Sequence, residues 1–127
     1  MKPFKIEWEK TDITPYILID EEAGYMKFEG ESYCENVTAF FKETCDWLNE
    51  FLQKDFESFT FDCEFTYLSS TTVKTILNML LDMDNSKNNK KITVNWITSN
   101  KNIIISECGE DFKQEINNLT FNLIVND

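Results

Sequence analysis

Histidine is absent from the 127-residue chain. That removes the Ser-His-Asp and Cys-His catalytic arrangements, the side chain that titrates near neutral pH, and every histidine-containing metal site. Glycine occurs three times and always singly, so there is no Gly-rich loop to cradle a phosphate. Cationic residues are few, with 12 Lys and Arg against 23 Asp and Glu and a net charge of −11. Affinity for nucleic acid depends on cationic side chains neutralising phosphates, so neither nucleic acid nor an anionic membrane is an expected partner. The four cysteines, Cys34, Cys45, Cys63 and Cys108, form no C-x-x-C pair, which argues against zinc and redox chemistry. No run of about 18 apolar residues exists to span a membrane, and the first residues lack the apolar stretch of a signal peptide. A cytoplasmic protein with reduced thiols is expected, with no cofactor, no metal and no catalytic residue.

Hydrophobic residues make up 42% of the chain, including 11 Phe, 3 Trp and 4 Tyr, enough for a packed core. The length suits a single domain over residues 1–127, on a prior of roughly 100–200 residues per domain. Residues 1–15 are polar and read as an N-terminal arm. Tyr16–Asp20 and Tyr25–Glu29 flank a Gly-containing turn, which predicts a hairpin. Apolar residues from Val37 to Leu52 recur at helical spacing, and Ser32 with Glu35 has the spacing of a capping box. In 58–68, Phe59, Phe61, Cys63, Phe65 and Tyr67 alternate with Thr60, Asp62, Glu64 and Thr66, a strand with one buried face. Val73, Ile76, Leu77, Leu80, Leu81 and Asp84 predict a second helix. Ile92, Val94 and Trp96 mark a strand. Ile104, Ile105, Cys108, Phe112 and Ile116 suit a third helix, weakened at Gly109 by up to about 1 kcal/mol. Residues 121–125 form a last strand. The order β-β-α-β-α-β-α-β predicts an α/β fold.

Most candidate chemistry has a plainer reading. Asp82-x-Asp84-x-Ser86 starts like a calcium loop, but Lys87 and Thr93 stand where such a loop needs Gly and Glu, so it reads as a fraying helix end. Glu35, Asp62, Glu64 and Glu110 read as solvated charges. Cys45 and Cys63 lie on apolar faces, while Cys34 precedes a helix, where a thiolate would be stabilised. Met79 and Met83, one turn apart, suit either core filling or an adaptable contact surface. Ser69, Ser70, Thr71 and Thr72 precede the second helix. They read either as an N-cap or as a phosphorylation switch, since a phosphoryl group there meets free backbone N–H groups and the positive end of the helix dipole.

Several segments in order resemble one family. They are Thr14-Pro15; Gly30-Glu31-Ser32-Tyr33-Cys34-Glu35-Asn36, against a family pattern Gly-Arg-Ser-x-Pro-Glu-Asn; Asp46-Trp47-Leu48; Tyr67-Leu68-Ser69-Ser70-Thr71-Thr72-Val73-Lys74, against Tyr-[Leu/Phe]-Asn-Thr-Ser-Ser-x-Lys; Val94-Asn95-Trp96; and Glu107-Cys108-Gly109-Glu110-Asp111-Phe112. The chain resembles the SiaC family of bacterial regulatory phosphoproteins, whose fold is related to STAS-domain anti-sigma-factor antagonists. The resemblance implies a STAS-like single domain, a mixed sheet with helices mainly on one face, and no enzymatic activity. It implies partner switching: a Ser/Thr protein kinase phosphorylates the start of the second helix, a PP2C-type phosphatase reverses this, and the unmodified form binds and activates a diguanylate cyclase, raising cyclic-di-GMP. By position the phosphoacceptor is Ser70, where the family has Thr, with Ser69 as rival. The expected contact surface is Ser69, Ser70, Thr71 and Thr72, extended to Met79 and Met83. The alternative function is a STAS-type antagonist of an anti-sigma factor.

Overall fold

The computed structural model describes residues 3–33 and 36–126. Six strands form one sheet in sequence order: β1 (Lys5–Trp8), β2 (Tyr16–Asp20), β3 (Tyr25–Ser32), β4 (Phe59–Leu68), β5 (Ile92–Ser99) and β6 (Thr120–Asn126). The first three are antiparallel neighbours, and β3 to β6 run parallel. Helices α1 (Val37–Phe51), α2 (Ser70–Asp84) and α3 (Ile103–Glu115) make the three parallel crossovers. Each crossover joins adjacent strands in the same direction, and right-handed connections then place all three helices on one face.

The strand β1 corrects the expectation that residues 1–15 are only an arm. Its short, charged sequence hides the period, since only Ile6 and Trp8 face the helices. Backbone pairing with β2, from Lys5 opposite Asp20 to Trp8 opposite Ile17, makes it a strand. Glu21 fastens it. The Glu21 carboxylate accepts from Trp47 Nε1 at 2.8 Å, from Lys54 Nζ at 3.2 Å and from the Phe4 N–H at 3.4 Å. Burial alone would raise its pKa, but these donors outweigh it and hold the carboxyl below its ordinary value.

The core lies between sheet and helices. Phe28 sits at its centre, edge-on to Phe61 at 4.9 Å and 5.5 Å from Phe41. Burying each such ring contributes about 1.5–3 kcal/mol. Met79 and Met83 belong to this core, at 2% and 0% exposure. That corrects their assignment to a contact surface: the inward stripe of α2 runs through Ile76, Met79, Leu80 and Met83. Cys63 is buried and Cys45 half-buried.

Gly109 is not merely a weak point in α3. It is buried where α3 crosses β5 and β6, and a Cβ there would collide with the Trp96 indole, at 2.6 Å from Nε1, and lie 2.7 Å from Leu123 Cδ2. Trp96 Nε1 donates to the Ile105 carbonyl at 2.9 Å in the same contact. Glycine lets the helix approach the ring closely enough for that bond.

Among the described residues, no helix covers the opposite face of the sheet. It carries a polar ladder across four strands: Tyr25 donates to Asp62 at 2.7 Å, Asn95 to Asp62 at 2.8 Å, and Asn122 to Asn95 at 3.0 Å. Asp62 is thus a hydrogen-bonded member of the sheet rather than a loose solvated charge. Burial and this bond raise the Tyr25 pKa above its ordinary value.

Candidate functional site: the rim around the start of α2

In an open α/β sheet, the carboxyl ends of parallel strands leave a crevice where ligands bind. Here that rim holds the end of β3, the end of β4, and the starts of α2 and α3. A bulge between Gly30 and Glu31, with Gly30 at φ 109°, shifts the β3–β4 register so that Ser32 lies opposite Leu68.

Ser32 does not cap α1. It is buried at the end of β3, and its hydroxyl lies 2.7 Å from that of Thr72 in α2, while its carbonyl accepts from the Ser69 N–H at 2.9 Å. The N-cap of α1 is Asn36, whose side chain makes no cap bond among the described residues. Glu35 and Cys34, the other half of the expected box and the candidate reactive thiol, lie outside the described residues.

The four hydroxyls at the start of α2 separate clearly. Ser69 is the N-cap: its Oγ accepts from the Thr72 N–H at 3.3 Å and bonds the Thr72 and Thr71 hydroxyls at 2.8 and 3.2 Å. Its carbonyl accepts from the Val73 N–H. Thr72 is fully buried between Ser69 and Ser32, which corrects its placement on a contact surface. Thr71 is exposed and tied to Ser69. Ser70 is exposed, the first residue of the helix, and its hydroxyl makes no hydrogen bond among the described residues. The amides of Ser70 and Thr71 are the two in this turn that Ser69 does not cover, the kind of donors that a helix start offers to an anion.

An apolar fringe surrounds this point, and the sequence reading missed it. Tyr33 and Tyr67 extend from the ends of β3 and β4, each 44% exposed, and their rings stack at 4.4 Å. Tyr67 was expected on the buried face of β4, but the strand here runs past the helices that would cover it. The Tyr33 N–H donates to the carbonyl of Ile13, itself exposed. Asn102, the N-cap of α3, donates from Nδ2 to the Thr66 carbonyl at 2.9 Å, bringing the start of α3 to the rim. There Ile103 and Ile104 are 65% and 79% exposed. Ile104 was expected in the core. Three consecutive isoleucines spaced about 100° apart cannot all face inward, and that was the signal available. Only Ile105 does so. Single exposed apolar residues are ordinary; five on one rim point to a protein contact.

Among the described residues, no group of three or more Cys, Asp or Glu is arranged to hold a metal ion. Asp84, from the calcium-like run, is buried at the other end of α2, where its carboxylate accepts from the N–H groups of Asn117, Asn118 and Leu119 at 2.7–3.0 Å. That helix end is pinned rather than frayed. Among the described residues, no helix is long and apolar enough to cross a membrane.

The family model described as SiaC family regulatory phosphoprotein matches residues 8–126. An uncharacterized protein of Pseudomonas aeruginosa (strain UCBPP-PA14) is 26% identical over 106 residues, covering 83% of this chain and 84% of that protein. The solved structure of SiaC of Pseudomonas aeruginosa superposes with a TM-score of 0.87 at 22% identity, covering 97% of this chain and 99% of that one. A chain in the crystal structure of the diguanylate cyclase SiaD in complex with its activator SiaC, from the same organism, superposes at 0.86 with 23% identity, covering 95% and 99%.

Proposed function

Because this chain belongs to the SiaC family of regulatory phosphoproteins, we propose that it is a non-enzymatic partner-switching protein whose unmodified form binds and activates a diguanylate cyclase through the rim around Ser70. A Ser/Thr kinase phosphorylates Ser70 and releases the cyclase, and a PP2C-type phosphatase restores the binding form. These exchanges take place in the cytoplasm.

The observation that carries the reading is the isolation of Ser70. Of four consecutive hydroxyls it alone is exposed without a hydrogen bond among the described residues, so a kinase reaches it without dismantling the N-cap. The crystal structure of SiaD bound to its activator SiaC supports the choice of partner class. The apolar fringe supplies contact area: Tyr33, Tyr67, Ile103 and Ile104 are desolvated on docking, and Ser70 starts the helix that follows the Tyr67 strand on the same rim. A phosphoryl group brings about −1.5 to −2 charges into that interface. A buried, unpaired charge costs about 3–5 kcal/mol. At about 1.4 kcal/mol per decade, the lower figure weakens binding roughly a hundredfold.

The test is titration calorimetry of wild type, Ser70→Ala, Ser70→Asp and Ser70-phosphorylated protein against a diguanylate cyclase of the kind SiaC activates. Wild type and Ser70→Ala should bind alike, Ser70→Asp more weakly, and the phosphoprotein about a hundredfold more weakly. Mass spectrometry after kinase treatment should place the phosphate on Ser70. Equal binding by phosphorylated and unmodified protein refutes the switch and leaves the turn as a helix cap.

A further inference from the structure

The sheet has two edges, and they differ in kind. The β1 edge is four residues long, carries Lys5 and Glu7, and follows Pro3. Short length, charge and proline are the usual devices that stop a sheet edge from recruiting another strand. The β6 edge has none of them. It is seven residues long, and it lies in the longest uncharged stretch of the chain, the eleven residues from Ile116 to Asn126. In a chain that is 28% charged, this is a local exception. Among the described residues, β6 pairs with β5 on one side and with no strand on the other. Ile124 and Val125, on opposite faces, are 37% and 53% exposed.

We infer that β6 is a self-association surface, and that two copies of this chain join edge to edge through antiparallel β6 strands into one continuous twelve-stranded sheet. The occupant is a second copy because of how charge behaves at such a contact. In a two-fold pairing each residue faces a residue of the same segment, so any net charge in that segment faces itself. β6 is uncharged throughout, although the molecule as a whole carries −11 and repels its own kind elsewhere. A two-fold contact centred on Leu123 sets Phe121 against Val125 and Asn122 against Ile124, which keeps helix-side residues together and open-face residues together. A β6-to-β1 contact would instead be head to tail, and would continue into a filament rather than close. The β6 edge runs beside the rim and does not include Ser70, so the pairing is independent of the proposed switch.

The experiment is sedimentation equilibrium of the whole chain over a wide concentration range, at low and moderate salt. The expected result is reversible association from 15.0 kDa to twice that mass and no further, strengthened by salt as repulsion is screened. Ile124→Lys and Val125→Lys, made separately, should each weaken association at least tenfold with unchanged circular dichroism. Ile103→Lys, on the rim, should leave it intact. Amide exchange of β6 should slow as concentration rises. A wild type that stays at 15.0 kDa throughout overturns the inference. So does association that survives both β6 lysines, or that Ile103→Lys abolishes.

Discussion

The two ends of α2 carry the same kind of residue and use it in opposite ways. At the C-terminal end, Asp84 is buried and its carboxylate accepts three backbone N–H bonds from the turn before β6. At the N-terminal end, Ser69 and Thr72 are bound into a hydroxyl cluster with Ser32, while Ser70 between them stands in solvent. Polarity at a helix end therefore does not mark function. What matters is whether the polar atom is already committed to the fold. Asp84 is committed, so changing it should cost stability. Ser70 is not, so changing it should cost stability almost nothing and alter what the surface presents.

The largest effect expected is at Asp84. A buried donor left without its partner costs about 1–3 kcal/mol; Asp84→Ala does this to the buried Leu119 N–H and also removes the charge-assisted bonds of the part-buried Asn117 and Asn118 N–H groups. Denaturant unfolding should show a loss of about 3 kcal/mol or more, against a change within about 0.5 kcal/mol for Ser70→Ala. Equal losses would erase the contrast between the two ends. The same carboxylate makes an acid-side prediction. Burial tends to raise its pKa, but the N–H groups of Leu119, Asn117 and Asn118 outweigh this and hold it below the ordinary Asp value. A lowered folded-state pKa means that the unfolded chain takes the proton more readily. The stabilisation is then fully present above the ordinary Asp value and is lost as pH falls through the lowered one. Unfolding curves taken at decreasing pH should fall less steeply for Asp84→Asn than for wild type.

Next in size is Gly109. By helix propensity alone Gly109→Ala should gain up to about 1 kcal/mol. The Trp96 and Leu123 contacts reverse the sign, because forcing a methyl into a filled space costs about 1–3 kcal/mol. A thermal melt showing net destabilisation, with quenched or shifted Trp fluorescence, is the expected outcome. A more stable variant would mean that α3 slides away from the indole freely.

Gly109 also marks where the sequence stops being legible. Among the described residues, periodicity located the three α-helices and five of the six strands, because 59–68 alternates strictly and α1 and α2 carry continuous apolar stripes. It missed β1, where only Ile6 and Trp8 face the core. It also read Tyr67 and Ile104 as core residues, because period says which face a residue shares but not whether a neighbour reaches that far. The start of α2 was legible as a hydroxyl cluster near a helix cap. Which hydroxyl is free was not, since that depends on Ser32, a residue 40 positions from Thr72 and brought to it only by the β3–β4 register. Met79 and Met83 were open to two readings, and the α2 packing chose the inner one.

A smaller effect separates Ser69 from its neighbour. Ser69→Ala removes the oxygen that accepts from Thr72 N–H, and a lost N-cap costs about 1 kcal/mol. Kinase treatment of Ser69→Ala should still modify Ser70, more slowly if the first turn frays. Modification that disappears with Ser69→Ala and persists with Ser70→Ala would move the acceptor to Ser69.

The smallest expected effect is that of phosphorylation on stability itself, and its smallness is informative. An anion at a helix N-terminus contributes about 0.3–1 kcal/mol through the dipole. At Ser70 in the free, solvent-exposed protein, the uncovered amides of the first turn favour the phosphate. The general repulsion of a −11 chain opposes it. The two nearly cancel, so phosphorylated and unmodified protein should melt within a few degrees of each other, since about 1 kcal/mol corresponds to about 4 °C near this size. The same modification is expected to weaken partner binding about a hundredfold. A switch of this kind acts on the surface and leaves the fold alone. If calorimetry instead shows the phosphoprotein melting far below the unmodified form, the phosphate has broken the Ser32–Thr72–Ser69 cluster. Release of the partner would then follow from unfolding the first turn of α2 rather than from placing charge in an intact interface.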